Sequence, residues 1–151
     1  MQAVVPRIRG FTHSEEEFSD EYDLRDWLDK ELRIDCRGCY HLRSAVGLGT
    51  KPDALPEGSI VLFYFKKKIV GEGVVEEGVQ KIDEEHRVKE ALPDEYEYFV
   101  KFKPELIRAY PAYLFINEEE FREVTGKALY GYFEITAEEY LSLQQKLVSK
   151  R

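Results

Sequence analysis

A chain of 151 residues with 43% hydrophobic content holds enough apolar side chain for one core, so a single domain spanning 1–151 is expected. A net charge of −8 argues against indiscriminate nucleic-acid binding, because phosphates dominate that affinity. The longest apolar run, IVLFYF, is too short to cross a bilayer and no basic-then-apolar leader precedes it, so a cytoplasmic protein without a membrane partner is expected.

Charged residues make up 34% of the chain, Asn117 is its sole asparagine and Met1 its sole methionine, which is the compositional pattern of thermophilic proteins. The charge is uneven. Acids cluster at Glu15–Glu17, Glu84–Glu85, Asp94–Glu95 and Glu118–Glu120, and bases at Arg7 and Arg9, at Arg33, Arg37 and Arg43, and at Lys66–Lys68. These bases read either as a local basic face or as ordinary solvated charge.

In chain order, Ser14 and Glu17 have capping-box spacing, which predicts a helix running to about Arg33. Its apolar stripe is Phe18, Tyr22, Leu24, Leu28 and Leu32. Trp27, the only tryptophan, lies off that stripe, so it either meets a second element or stands at a binding rim. Residues Ser59 to Phe65 are β-branched and aromatic on both faces and predict a strand buried on both sides. Lys66–Lys68 make a turn, and Ile69–Val75 return as the partner strand. Gly71 and Gly73 fall on one face there, which predicts a bend or the close approach of another backbone. They are not a dinucleotide loop, since Glu76 holds the third glycine's place and the stretch reads as strand.

YEYFVKF alternates, with Tyr96, Tyr98, Val100 and Phe102 on one face and Phe99 and Lys101 on the other. Asn117 caps a short helix containing Phe121 and ending near Gly126. LYGYFEI is a further strand, and Thr136 with Glu139 opens a terminal helix through Tyr140, Leu143 and Leu147. Residues 49–58 and 76–95 read as loops. The sum is an α+β fold, a small curved sheet or barrel with helices at both ends.

Cys36 and Cys39 have C-x-x-C spacing. A structural zinc site needs four ligands, and two thiols with His41 nearby do not supply the usual pattern, so no metal and no cofactor are expected. A redox pair would open a helix, and the residues that follow have no helical stripe. A structural disulfide or two small buried thiols remain. G-x-S-x-G, H-E-x-x-H and the phosphate-binding G-x-x-x-x-G-K-[ST] are absent, and His13, His41 and His86 suggest no base–nucleophile pair. A binding module is therefore expected rather than an enzyme. A small thiol-dependent enzyme using the C-x-x-C is the reading from another class.

GSIVLFYFKKKIVGEGVV, preceded by RGCYHLRSAVG and followed by YEYFVKF, resembles the core of EVE domains, members of the PUA-like superfamily together with the YTH readers of N6-methyladenine. The resemblance spans about a third of the chain, roughly Cys36 to Val75 and Tyr96 to Pro104. It implies a small β-barrel flanked by helices, with a pocket that takes a flipped, modified base. Tyr40 stands where YTH readers carry a cage tryptophan, and His41 follows it. The pocket so implied has Tyr40 as one wall, Tyr64 or Phe63 below it, and Trp27 or Phe99 closing it. His41 and Ser44 would read the base edge, and Arg33, Arg37, Arg43, Lys66, Lys67 and Lys68 would hold the neighbouring phosphates.

Together with the archaeal-looking composition, the N-terminal part also resembles the DNA-reading domain of McrB-type restriction proteins. That resemblance implies a non-catalytic reader that flips a methylated base in DNA, N6-methyladenine being favoured over modified cytosine. Its partners would be methylated DNA, a GTP-hydrolysing motor domain in the same full-length chain and a nuclease subunit. An RNA-binding PUA-like module is the alternative within the fold.

Overall fold

A computed structural model describes residues 5–42 and 55–150. Arg43 and Ser44 lie outside the described residues, as does most of the expected loop at 49–58.

Strand β1 (Ile8–His13) leads through a turn into α1 (Glu21–Trp27), which continues in widened turns over Leu28–Asp35. Strand β2 (Cys39–Leu42) comes before the hairpin of β3 (Ile60–Phe65) and β4 (Lys68–Lys81). Helix α2 (Glu84–Lys89) leads to β5 (Tyr98–Phe102). Short strands β6 (Arg108–Ala109) and β7 (Ile116–Asn117) precede α3 (Glu118–Thr125), β8 (Phe133–Ile135) and α4 (Ala137–Ser149). The fold is α+β, as expected.

The strands form one curved sheet in the order β2-β5-β4-β3-β1-β8, with β6 and β7 added against β4. Along that path β1 and β3 run parallel and the other neighbours antiparallel. Although three strands separate β2 from β1, the Tyr40 ring on β2 lies 5.6 Å from that of Phe11 and 6.0 Å from that of His13 on β1. The sheet therefore curls almost onto itself, and among the described residues no ladder joins its β2 and β1 sides.

β3 is buried on both faces, as its apolar run requires. A Cβ at Gly71 would sit 2.6 Å from the carbonyl oxygen of Arg108 and 2.8 Å from Leu28, so the expected close backbone approach is present. Both C-terminal helices open with full capping boxes, Asn117 with Glu120 and Thr136 with Glu139. Gly126 ends α3 in the left-handed conformation at φ 71°. Glu72, buried within β4, accepts hydrogen bonds from Tyr110 (2.5 Å), Tyr140 (2.6 Å) and Gln144 (3.1 Å), and so pins α4 to the sheet.

Four expectations are corrected. Ser14 and Glu17 form a turn, not a helix start. The carbonyl of Ser14 accepts from the amides of Glu17 and Phe18, and α1 begins after Asp20, whose carboxylate accepts from the Asp23 amide at 2.8 Å. Leu24, Leu28 and Leu32 hold the buried stripe, while Tyr22 is half exposed. Residues 76–95 are not one loop. β4 runs on to Lys81 through two irregularities in its pairing with β5, and α2 follows. In LYGYFEI only Phe133–Ile135 is strand, because Gly131 turns the chain at φ 58° and leaves Tyr130 exposed.

Candidate functional site

Strand β2 alternates, with Tyr40 and Leu42 buried and Cys39 and His41 half-buried. Tyr40 reaches into the curl of the sheet. Its ring lies 5.7 Å from Phe63, 6.1 Å from Phe102 and 5.9 Å from Trp27, the last at 80°. Trp27 also meets Phe18 edge-on at 5.5 Å. Trp27 and Tyr40 thus form an aromatic corner, held from beneath by core rings.

That corner opens into a cavity of about 620 Å³ that Phe18, Tyr96, His13 and His41 also line. Its rim is acidic, with Glu16, Glu17, Asp23 and Glu31. The widened turns after α1 shape this side. The Cys36 amide reaches back to the carbonyl of Glu31 at 2.7 Å, which brings both residues to the cavity wall.

The hydrogen bonds of His13 fix its tautomer. Its Nδ1 is 3.2 Å from the backbone carbonyl of Tyr64, which can only accept, so Nδ1 carries the proton. Nε2 then accepts from the Tyr40 hydroxyl at 2.8 Å. Burial lowers the His13 pKa to about 4, and burial holds the Tyr40 hydroxyl well above its ordinary value, with Glu17 adding to the effect. The cavity floor is therefore neutral although its rim is charged.

Cys36 and Cys39 are free thiols. Burial raises both, helped by Glu31 at Cys36 and by Glu90 at Cys39, which is pushed up to about 11. The thiolate is the nucleophile, so neither cysteine is set up for covalent chemistry at neutral pH. On the face of β2 opposite the Tyr40 side chain, Nε2 of His41 lies 3.5 Å from Sγ of Cys39 and 3.1 Å from Nε2 of His86 on α2. The His86 ring also stacks on Phe99, at 4.6 Å and 32°.

Of the residues expected to form a pocket, the structure brings Tyr40, His41 and Trp27 to one cavity, with Phe63 fully buried beneath Tyr40. Tyr64 does not join them. It alternates to the other face of β3, where its hydroxyl donates to the carbonyl of Gly131. Phe99 sits with His86 rather than against Tyr40, because it faces away from Val100 and Phe102.

The expected phosphate-binding residues stand on separate elements beside acids. Arg33 pairs with Asp29 at 3.1 Å, Lys66 with Glu15, Lys67 with Glu118 at 3.7 Å and Lys68 with Glu21 at 3.3 Å. Arg37 is exposed next to Cys36, with φ 51°. Sequence reasoning missed His13, Phe18, Tyr96 and His86. For His13 and Phe18 no spacing signal existed, because the turn after β1 breaks the periodicity that would have paired them with Trp27.

No protein-family model matches the chain, and no curated protein sequence matches it. Solved structures do. A hypothetical protein from Leishmania major superposes with TM-score 0.56 at 15% identity, covering 99% of this chain and 100% of that one. An ASCH structure from Zymomonas mobilis gives 0.52 at 13% identity, covering 95% and 94%. The YTH domain of the Zygosaccharomyces rouxii MRB1 protein, in complex with N6-methyladenosine RNA, gives 0.52 at 12% identity, covering 97% and 91%. The chain thus shares its fold with these solved structures, an ASCH structure and a YTH domain among them.

Proposed function

We propose that the chain is a non-catalytic nucleic-acid reader that takes an extruded base into the cavity at the Trp27–Tyr40 corner. The observation that carries this reading is the corner itself, aromatic and opening into about 620 Å³, within the ordinary range for small-molecule pockets. A base leaving its stack loses aromatic contact, and each aromatic wall restores roughly 1–3 kcal/mol. A purine covers more of such a corner than a pyrimidine. The carboxylates of Glu16 and Glu17 supply acceptors for an exocyclic N–H. N6-methyladenine is therefore favoured over modified cytosine, with His41 at the base edge. Support also comes from the YTH structure with N6-methyladenosine RNA, which shares the fold.

The acidic rim makes phosphate contact at the cavity mouth unfavourable. Backbone contacts fall instead to Arg37 and Arg43 and to the Lys66–Lys68 turn. The substrate we favour is methylated DNA, with the domain serving as the specificity part of a modification-dependent restriction complex that also holds a GTP-hydrolysing motor and a nuclease. Methylated RNA is the second reading, favoured by the RNA in the YTH complex.

The test is a titration of matched DNA and RNA oligonucleotides, with and without N6-methyladenine, followed by the fluorescence of Trp27, the sole tryptophan. Methylated DNA binding several-fold tighter than unmethylated DNA is the expected result. A preference for methylated RNA would move the assignment to the second reading. Equal binding of all four, or none, would overturn both.

A further inference from the structure

We infer that Cys39, His41 and His86 form a divalent transition-metal site, zinc by its ligand chemistry, on the wall of the cavity. The three donor atoms lie within 4.8 Å of one another. Two of their three separations match a tetrahedral edge. With Zn–N near 2.05 Å and Zn–S near 2.3 Å, tetrahedral angles place two nitrogens about 3.3 Å apart and nitrogen from sulfur about 3.6 Å apart. The observed distances are 3.1 Å between the two Nε2 atoms and 3.5 Å from His41 Nε2 to Cys39 Sγ.

Hydrogen bonding alone accounts poorly for this cluster. A neutral imidazole nitrogen carries either one proton or one lone pair, so His41 Nε2 makes one good hydrogen bond, not two. A cation among the three satisfies all of them at once. The placement is also rigid. Cys39 and His41 share one face of β2, held in register against β5, and Phe99 stacks on the His86 ring.

A thiolate and two imidazoles select zinc among common divalent ions, over the oxygen-seeking magnesium and calcium. On binding, the Cys39 proton passes to solvent. Three protein donors leave one tetrahedral position for a water or for an atom of a molecule in the cavity, which Cys39 and His41 line. His41 belongs to both sites, but metal binding needs no nucleic acid, so its failure is distinguishable from failure of the base-reading proposal.

The experiment titrates the chelator-stripped full chain with Zn²⁺ against a chromogenic chelator, and separately with Co²⁺. One ion per chain is expected, with a thiolate-to-cobalt charge-transfer band and the intense d–d bands of a four-coordinate centre. Cys39→Ser should abolish the charge-transfer band, and Cys39→Ser and His86→Gln should each weaken binding by more than the roughly 10–100-fold that a supporting residue costs. Cys36→Ser should leave both binding and band intact. Thermal melts of the stripped variants establish that they remain folded. Absence of saturable binding overturns the site, as does unchanged affinity in Cys39→Ser and His86→Gln. Loss with Cys36→Ser but not with His86→Gln would also overturn it, by moving the ion to the C-x-x-C pair.

Discussion

The Tyr40 hydroxyl on β2 donates to Nε2 of His13 on β1 at 2.8 Å, across the seam where the curled sheet approaches itself, with no backbone ladder among the described residues. This bond requires a neutral imidazole, because a protonated His13 has no lone pair left to accept it. The fold at this seam is therefore tied to the charge state of one buried side chain.

Acid should loosen the seam. Burial lowers the His13 pKa to about 4 from an ordinary 6.5, so between these values the unfolded chain binds a proton that the folded chain refuses. The stability His13 contributes is fully present above pH 6.5 and is lost as pH falls through 4, to a total of about 3 kcal/mol. His13→Gln keeps a donor for the Tyr64 carbonyl and an acceptor for Tyr40 without titrating. Urea unfolding at a series of pH values should show a steeper fall for the natural chain than for this variant across that window. Parallel curves would remove His13 as the cause.

The cavity wall and the core should separate under mutation. Trp27 is partly buried and faces the cavity, whereas Phe102 is fully buried behind Tyr40. Trp27→Ala is expected to lose roughly 1–3 kcal/mol of binding to the preferred oligonucleotide. Phe102→Ala is expected to lose about 3–5 kcal/mol of folding stability. Tyr40 is unsuited to this comparison, since its ring also packs on Phe11, Phe63 and Phe102, and its truncation would empty the core as well. Melting curves and binding titrations on both variants make the check, and a Trp27→Ala protein that binds normally contradicts the assignment.

Glu72 should behave as a structural anchor. Its carboxylate is 3% exposed and takes hydrogen bonds from two tyrosines and a glutamine. Hydrogen bonds to a buried charge contribute about 1.5–3 kcal/mol each, and their donors are left stranded if the charge goes. Glu72→Ala should therefore cost at least about 3 kcal/mol in urea unfolding, and Tyr140→Phe about half of that. Losses below 1 kcal/mol for Glu72→Ala would mean that water replaces the carboxylate without cost.

Parts of this architecture were legible because local chemistry alone decides them. Asn117 with Glu120 and Thr136 with Glu139 satisfy the free amides of a helix start, and both helices begin there. Ser14 with Glu17 has the same spacing and starts no helix, because Phe18 turns inward to meet His13 and Trp27 and the chain stays a turn until Asp20. β1 carries no clear strand signal, since Arg9 interrupts its apolar pattern and Gly10 makes room for the Phe133 ring, which a Cβ there would meet at 2.1 Å.

The candidate site was legible only where one strand carries it. Tyr40 and His41 are neighbours on β2, and their position before the central hairpin points to them. His86 lies 45 residues from His41 in an acidic stretch, so no spacing rule connects the two. Counting one imidazole near the cysteines left the cluster incomplete, and the return of β4 and α2 along β5 supplies the second. The basic residues read differently in sequence and in space. Sequence shows Lys66–Lys68 as a run, but each pairs with an acid from a different part of the chain.

The parallel pairing of β1 with β3 sets the order in which this protein can assemble. The β3–β4 hairpin closes a short loop and is expected to form early, since a nearby contact costs little chain entropy. One side of β1 must wait, because Ile8 pairs with Ile60 of β3 and also with Ile135 of β8, so the strand is flanked by partners that both follow it far along the sequence. Until residue 135 has left the ribosome, β1 holds an unpaired edge that other chains could occupy. The β1–β8 pairing is thus a late seam, and crowding during synthesis acts there first.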